Sequence, residues 1–219
     1  MGLAVRLAVL RVRTWLAGWA RPCSYSFVAY GGAPYGPTMF LREEQIRDRE
    51  PVGSIHRRAF GAEHGEIVAE LVDALRRDDP TAVSFVSEEA DEVVGHVMFS
   101  RCLLDAPQRT VGVVSLSPLA VAPEWQRRGI GSALIRRGLQ ELDERGVPLV
   151  FLEGDPRYYS RVGFSPAVEH GFRKPSLRIP DSAFQVVKLS AYEPWMIGTF
   201  VYSETFWRHD CVGVRDKNA

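Results

Sequence analysis

The residues with the clearest chemical meaning lie in the run Gln-Arg-Arg-Gly-Ile-Gly at positions 126–131. Gly129 and Gly131 have no β-carbon, so successive backbone N–H groups can converge on an anion without steric conflict. A helical pattern begins within this turn, and the positive end of a helix attracts negative charge. Arg127 and Arg128 add two positive charges. Together these features predict a loop that binds a phosphate group, and such a loop suits a pyrophosphate.

Two better-known phosphate loops do not fit this run. A Walker loop needs Gly-Lys-Ser/Thr, whereas Gly131 is followed directly by Ser132. A dinucleotide-binding fingerprint needs a third glycine where this chain has Leu134. Because a Gly-x-Gly before a helix is also common in turns, the run alone leaves a purely structural interpretation open.

The cysteines and histidines show no pattern of metal ligands. Cys23, Cys102 and Cys211 are far apart, and neither a C-x-x-C nor a Cys/His ligand spacing occurs. An odd number of widely separated cysteines indicates reduced thiols and a cytoplasmic location. No metal cofactor is expected.

Strand-like and helix-like segments alternate from Met39 onward, and the fold that they form positions the predicted phosphate loop. Apolar spacing predicts a helix capped by Asp48, a second helix at 67–75, and a third that passes through Gly138 and closes at Gly146. Asp155, followed by proline, is expected to cap a short further helix. β-rich runs predict strands, and two of them flank an acidic turn as in an antiparallel hairpin. These runs are 39–44, 82–89, 92–104, 110–123, 147–154 and 184–189. The order predicts one α+β domain at 39–209, followed by a tail at 210–219.

Residues 1–38 are interpreted as an appendage to this domain, expected to be poorly ordered. They contain four arginines and no acidic residue, and they show no sustained period. A start codon assigned too early, with Met39 as the true initiator, is the favoured explanation. A targeting peptide is the second, and a secretory signal is the weakest because Arg11 and Arg13 interrupt its apolar stretch.

The charge balance argues against a nucleic-acid or membrane partner. Lys plus Arg and Asp plus Glu number 27 each, so the formal net charge is zero. A domain that binds nucleic acid is more often strongly basic. No apolar run reaches the roughly 18 residues that a membrane-spanning helix needs.

Three blocks of the chain resemble a known family. The run LAVAPEWQRRGIGSALI is similar to the acetyl-coenzyme A motif of the GNAT N-acetyltransferases, Gln/Arg-x-x-Gly-x-Gly/Ala. The run FLEGDPRYYSRVGFSPA resembles the Tyr-x-x-x-Gly-Phe element of the same family, and PDSAFQVVKL with GTFVYSETFW resembles the carboxyl end of its bacterial YhbS-like branch. The first motif is filled by Gln126, Arg128, Gly129 and Gly131, and the second by Tyr159, Gly163 and Phe164. The resemblance spans roughly residues 39–207.

The resemblance implies a three-layer α/β GNAT fold, of the α+β class. A central mixed, mostly antiparallel sheet would carry helices on both faces, and one strand would splay from its neighbour to bind the cofactor. The implied activity is transfer of an acetyl group from acetyl-CoA, as co-substrate, to a primary amine of a small molecule or protein. The implied assembly is a monomer or a homodimer. A catalytically silent domain that only senses acetyl-CoA is the alternative.

The resemblance also assigns roles to residues. The backbone of Leu119, Ala120 and Val121 would contact pantetheine and the thioester carbonyl, and Tyr159 would be the general acid for the departing thiolate. For the base that deprotonates the amine, Glu153 is one candidate, and His96, Ser115 or Ser117 could hold a relay water. The pyrophosphate would be bound by the backbone of Gln126, Arg127, Arg128, Gly129, Ile130, Gly131 and Ser132.

Overall fold

The computed structural model describes residues 28–29 and 39–213. The remainder of the predicted extension at 1–38, and residues 214–219 of the predicted tail, lie outside the described residues. The strands are β1 (Val28–Ala29), β2 (Phe40–Glu43), β3 (Val83–Glu89), β4 (Glu92–Asp105), β5 (Thr110–Val121), β6 (Leu149–Glu153), β7 (Ser165–Pro166), β8 (Phe184–Lys188) and β9 (Thr199–Val201). The helices are α1 (Arg49–Phe60), α2 (Ala62–Asp78), α3 (Ile130–Glu144), α4 (Pro156–Tyr159) and α5 (Glu204–Arg208).

The strands of the described chain form one sheet in the order β1-β2-β3-β4-β5-β6-β8-β7, with β9 beside β4. β5 and β6 are parallel, and the other paired strands are antiparallel. The predicted hairpin is β3–β4, and both turn residues, Ala90 and Asp91, have positive φ. The mixed, mostly antiparallel sheet that the resemblance implied is confirmed.

Helices cover both faces of this sheet. Successive side chains of a strand point to opposite faces, and β4 shows this alternation clearly. Met98 packs in a core with Val52 of α1 and Leu71 of α2. Phe99, the next residue, packs in a second core with Leu134 of α3. The fold therefore has three layers, with α1 and α2 on one face and α3 on the other.

One pair of neighbouring strands in the sheet diverges. β5 and β6 pair only at Val114 with Val150 and at Ser115 with Phe151. On its other side, β5 stays paired with β4 as far as Val121. The register between β4 and β5 shifts between Val97 and Phe99, so that β5 contains one more residue than β4 there. Such a bulge bends a strand and increases its twist, and beyond Ser115 a cleft opens between β5 and β6.

Two predicted helix caps have different outcomes. Asp155 accepts a hydrogen bond from the Arg157 N–H at 2.9 Å and caps α4, as expected. Asp48 stands at the N-cap position of α1, as predicted, but its carboxylate makes no cap hydrogen bond there. It is buried and instead accepts from the guanidinium of Arg42, at 2.6 and 2.9 Å, and from the Gln45 N–H. A bidentate arginine pair is stronger than a single cap bond, so the tertiary partner prevails.

Packing continues beyond residue 209, into the segment predicted as a tail. Val212 is fully buried and belongs to the core on the α1 and α2 face. Arg178 donates a hydrogen bond to the Val212 carbonyl at 2.6 Å. Residues 210–213 are therefore packed against the domain.

Candidate active site

The cleft between β5 and β6 leaves one edge of β5 without a strand partner in the described part of the chain. The Ala122 N–H donates to the Val94 carbonyl of β4 at 2.9 Å, so the peptide groups of Ala122 face β4. Because these directions alternate along a strand, those of Ala120 also face β4, whereas those of Leu119 and Val121 face the cleft. A bound chain with its own amide groups could extend the sheet at this edge.

The predicted phosphate loop follows directly after β5. The Gln126 side-chain amide donates to the Val121 carbonyl at 3.0 Å and ties the loop to the end of the strand. Arg128 stacks over the Trp125 ring at 4.6 Å and donates to the Glu124 carbonyl. Both Arg127, with φ +62°, and Gly129, with φ +85°, adopt the left-handed conformation that lets the backbone turn sharply. Gly129 is the N-cap residue of α3.

The first turn of α3 has free backbone donors. The first intrahelical bond of this turn runs from the Ala133 N–H to the Gly129 carbonyl, so the N–H groups of Ile130, Gly131 and Ser132 have no partner within the helix. The N-cap residue offers them no side-chain bond, and the turn contains no acidic residue. Free amides and the positive end of a helix dipole are the features that attract an anion, and this turn places both beside the cleft.

Two adjacent tyrosines of α4 occupy different places. A β-carbon built on Gly131 would collide with the hydroxyl of Tyr158 and lie 3.7 Å from Leu119, so Tyr158 reaches the first turn of α3 beside the free edge of β5. Tyr159 instead lies over Gly154, and its ring contacts Phe164 at 5.9 Å between centroids. Burial, and then the neighbouring Tyr158, raise the pKa of Tyr159. The Tyr-x-x-x-Gly-Phe spacing had singled out Tyr159 and carried no information about where Tyr158 lies.

Glu153 is the last residue of β6, at the point where this strand has left β5. Its Oε1 accepts a hydrogen bond from the Tyr202 hydroxyl at 2.9 Å, and its Oε2 accepts one from the Gly213 N–H at 3.1 Å. Burial raises the pKa of this carboxyl group, although both hydrogen bonds oppose the shift. Glu153 is thus a partly buried, oriented carboxylate with an increased proton affinity.

His96 belongs to a buried chain of polar groups between the sheet and the first two helices. Its Nδ1 lies 2.8 Å from His56 Nε2, and its Nε2 lies 2.9 Å from the Ser84 hydroxyl. Ser84 donates to Glu44, which also pairs with Arg76. Because the Ser84 hydroxyl donates to Glu44, His96 Nε2 donates to Ser84, and His56 Nε2 in turn donates to His96 Nδ1. The Nδ1 of His56 is buried and has no hydrogen-bond partner among the described residues. Burial lowers the pKa of both imidazoles, that of His56 to about 2, so both are neutral.

The other candidate groups do not suit chemistry at the cleft. Burial raises the pKa of Cys102 to about 12, which removes the thiolate that a nucleophile needs.

Among the residues that the structure describes, no group of three or more His, Cys, Asp or Glu side chains could hold a metal ion. Within the same ranges, no helix has the length and apolar character to cross a membrane.

Comparison with known proteins gives consistent matches. Residues 41–167 match the family model described as an acetyltransferase (GNAT) domain. The chain is 34% identical to the uncharacterized N-acetyltransferase YhbS of Escherichia coli K12 over 155 residues, which are 69% of this chain and 88% of that protein. It is also 34% identical to the uncharacterized N-acetyltransferase YjhQ of the same strain over 131 residues, 58% of this chain and 71% of YjhQ.

Solved structures agree with these matches. The crystal structure of the GNAT family N-acetyltransferase YhbS from Escherichia coli in complex with CoA has a TM-score of 0.70 and 30% identity, covering 81% of this chain and 97% of that one. A GNAT family acetyltransferase from Brucella melitensis in complex with acetyl-CoA has a TM-score of 0.61 and 31% identity, covering 78% and 99%. The matched region includes the free edge of β5, the predicted phosphate loop and the first turn of α3. This chain belongs to the GNAT family of acetyltransferases.

Proposed function

We propose that this protein transfers an acetyl group from acetyl-CoA to a primary amine by direct attack in a ternary complex. The observation that carries the proposal is the position of the free edge of β5 directly beside the uncapped first turn of α3. One feature suits an extended amide-containing chain and the other an anion. Acetyl-CoA contains both, as pantetheine and pyrophosphate.

The two features assign the parts of the cofactor to residues. The amides of Ile130, Gly131 and Ser132, with the loop residues before them, would bind the pyrophosphate. The peptide groups of Leu119 and Val121 would pair with pantetheine as an added strand. That the related proteins from Escherichia coli and Brucella melitensis were solved with CoA and acetyl-CoA supports this assignment.

In the proposed reaction, the amine nitrogen attacks the thioester carbon and forms a tetrahedral intermediate with a negatively charged oxygen. The attacking nitrogen loses a proton, and the carbon–sulfur bond then breaks with its electron pair going to sulfur. The acetyl group ends on the amine, and CoA leaves as a thiolate that takes up a proton from water. A backbone donor of β5 aimed at the thioester oxygen would stabilise the intermediate. Loss of one such donor typically costs about 3 kcal/mol of barrier.

Glu153 is proposed to accept the proton of the amine, and Tyr159 to stabilise the leaving sulfur by a hydrogen bond. The amine must lose its proton before it attacks, and the raised pKa of Glu153 makes this carboxylate a better acceptor than an exposed one. A free tyrosine is a weaker acid than a thiol by a difference that corresponds to about 2 kcal/mol. Because burial raises the pKa of Tyr159 further, this residue acts as a hydrogen-bond donor to sulfur rather than by complete proton transfer.

The test is calorimetric titration of the full chain with acetyl-CoA, beside Gly129→Glu and the control Gly146→Glu. Both glycines have positive φ, +85° and +72°, and a β-carbon on either would meet no atom of the described residues within 4 Å, so the backbone strain is matched. Only Gly129 lies at the free amides of α3; Gly146 lies just beyond the other end of this helix. We expect Gly129→Glu to lose binding and Gly146→Glu to keep it.

Release of free thiol over a panel of amines then tests transfer. Binding followed by amine-dependent thiol release supports the transferase. Binding without release on small amines and on peptides with free amino groups would indicate a silent acetyl-CoA sensor. Equal loss of binding in the two glutamate variants, or no binding by the unaltered chain, would contradict the assignment of the loop.

A further inference from the structure

We propose that the carboxyl-terminal segment from Tyr202 to Gly213 completes the active site, with Tyr202 as a positioning residue for Glu153. This inference rests on the proposed function, in which Glu153 accepts the proton of the amine. It assigns a role in the reaction to Tyr202 and Gly213, which follow Glu153 in the sequence by 49 and 60 positions.

Each oxygen of Glu153 has one donor from this segment. The Tyr202 hydroxyl donates to Oε1 at 2.9 Å, and the Gly213 N–H donates to Oε2 at 3.1 Å. A carboxylate oxygen accepts more than one hydrogen bond, so the carboxylate can still receive a further proton. Two donors on opposite oxygens fix the plane of the group and leave it one orientation.

The Tyr202 hydroxyl is itself held rigidly. Tyr202 is 6% exposed and lies between Phe200 and Phe206, with both ring centroids 4.7 Å from its own. β9 holds the preceding residues against β4, where Phe200 pairs with Leu104. The phenol therefore has little freedom to leave Glu153, and a rigid partner is what a positioning residue requires.

The second donor is held equally well. Val212 is fully buried, and Arg178 donates to its carbonyl at 2.6 Å, so the next N–H is directed at Glu153. Gly213 has φ +65°, a conformation that favours glycine, and a β-carbon there would lie 2.8 Å from Arg178. A side chain at position 213 would therefore strain the backbone conformation in which the N–H donates to Glu153.

The electrostatic consequence has a definite sign. Burial raises the pKa of Glu153, and the hydrogen bond from Tyr202 is the largest influence that lowers it. Loss of the hydroxyl therefore raises the pKa further, and a base with a higher pKa is protonated, and so inactive, up to a higher pH. The titratable or charged groups around Glu153 and its phenol partner are Tyr202, Arg178, Asp210, Cys211 and Cys102.

The experiment measures the pH profile of kcat/KM for Tyr202→Phe, Glu153→Gln and the control Tyr192→Phe. Tyr192 lies beside Lys188, which pairs with Leu149 at the opposite end of β6 from Glu153. For Tyr202→Phe we expect the acid limb of the profile to move to higher pH by about half a unit or more. At pH values below this limb, kcat/KM should fall about threefold, and at high pH it should return to the value of the unaltered protein. The control should keep the profile of the unaltered protein. A merely structural role of Tyr202 would lower turnover at every pH and would not move the limb.

A second replacement covers the case in which Tyr202→Phe does not fold. 3-Fluorotyrosine at position 202 has nearly the same shape and is a stronger donor, so the limb should move to lower pH. Unchanged turnover of Glu153→Gln would overturn the proposed base and this inference with it. An impaired Glu153→Gln together with an unmoved limb in both Tyr202 replacements would overturn this inference alone.

Discussion

Replacement of Gly138 by alanine tests whether α3 lies against the sheet as closely as the structure indicates. Gly138 is in the middle of α3, the helix whose first turn carries the free backbone amides. A β-carbon built there would collide with the ring of Phe99 on β4: two ring atoms lie well inside contact distance and a third lies at 3.0 Å. The ring is rigid and fully buried, so it cannot turn away freely. We expect Gly138→Ala to destabilise the protein.

The size of the effect follows from two opposing contributions. Overpacking of a well-filled core costs about 1–3 kcal/mol, and three close ring atoms put this site near the upper value. Alanine in a helix interior recovers about 1 kcal/mol relative to glycine. The net loss in unfolding free energy is therefore about 2 kcal/mol. For a protein of this size, such a loss lowers Tm by roughly 4–8 °C.

The measurement is urea and thermal unfolding, beside Gly53→Ala as a matched control. Gly53 is also inside a helix, but a β-carbon there would first meet the Arg57 Nη1 at 3.1 Å, the end of a flexible side chain. The control should gain about 0.5–1 kcal/mol from helix propensity. If Gly138→Ala unfolded at the same urea concentration as the unaltered protein, or at a higher one, the close contact between α3 and β4 would be refuted.

Two further expectations concern catalysis and acid stability. Tyr159→Phe should lower turnover at least about tenfold in a thiol-release assay, with acetyl-CoA affinity by titration nearly unchanged; an unaltered turnover would remove its role as donor to the leaving sulfur. Because burial lowers the pKa of His56 from 6.5 to about 2, the unfolded chain binds more protons than the folded one between these values. The contribution of the neutral His56 to the free energy of unfolding should thus be fully present above pH 6.5 and should decline as the pH falls below this value. His56→Leu should show a smaller decline in urea midpoint between about pH 7 and pH 5, and an identical decline would argue against a neutral buried imidazole.

The features that the sequence alone determined depend on short stretches of chain. The glycines at 129 and 131 and the helical spacing after them were enough to predict the tight turn and the start of α3, because left-handed backbone and helix ends have local signatures. Alternating apolar runs predicted the hairpin at Ala90 and Asp91 for the same reason. Gly138 lies inside a helical pattern, where glycine costs about 1 kcal/mol relative to alanine, so the sequence itself indicates close packing at this position. The order of these elements and their motifs was sufficient to indicate the family.

Which residues meet depends on the tertiary structure. A periodic pattern predicts which face of a helix or strand is buried, but not which residues pack against that face. It therefore could not predict the ion pair of Asp48 with Arg42 or the hydrogen bond between His56 and His96. The cleft itself arises from a register shift and from the short pairing of β5 with β6, which involve strands far apart in sequence. The donors to Glu153 come from the end of the chain because packing, which is not encoded locally, brings β9 and Val212 against the sheet. The chemistry of the loop is thus local, whereas the orientation of the proposed base is a property of the whole fold.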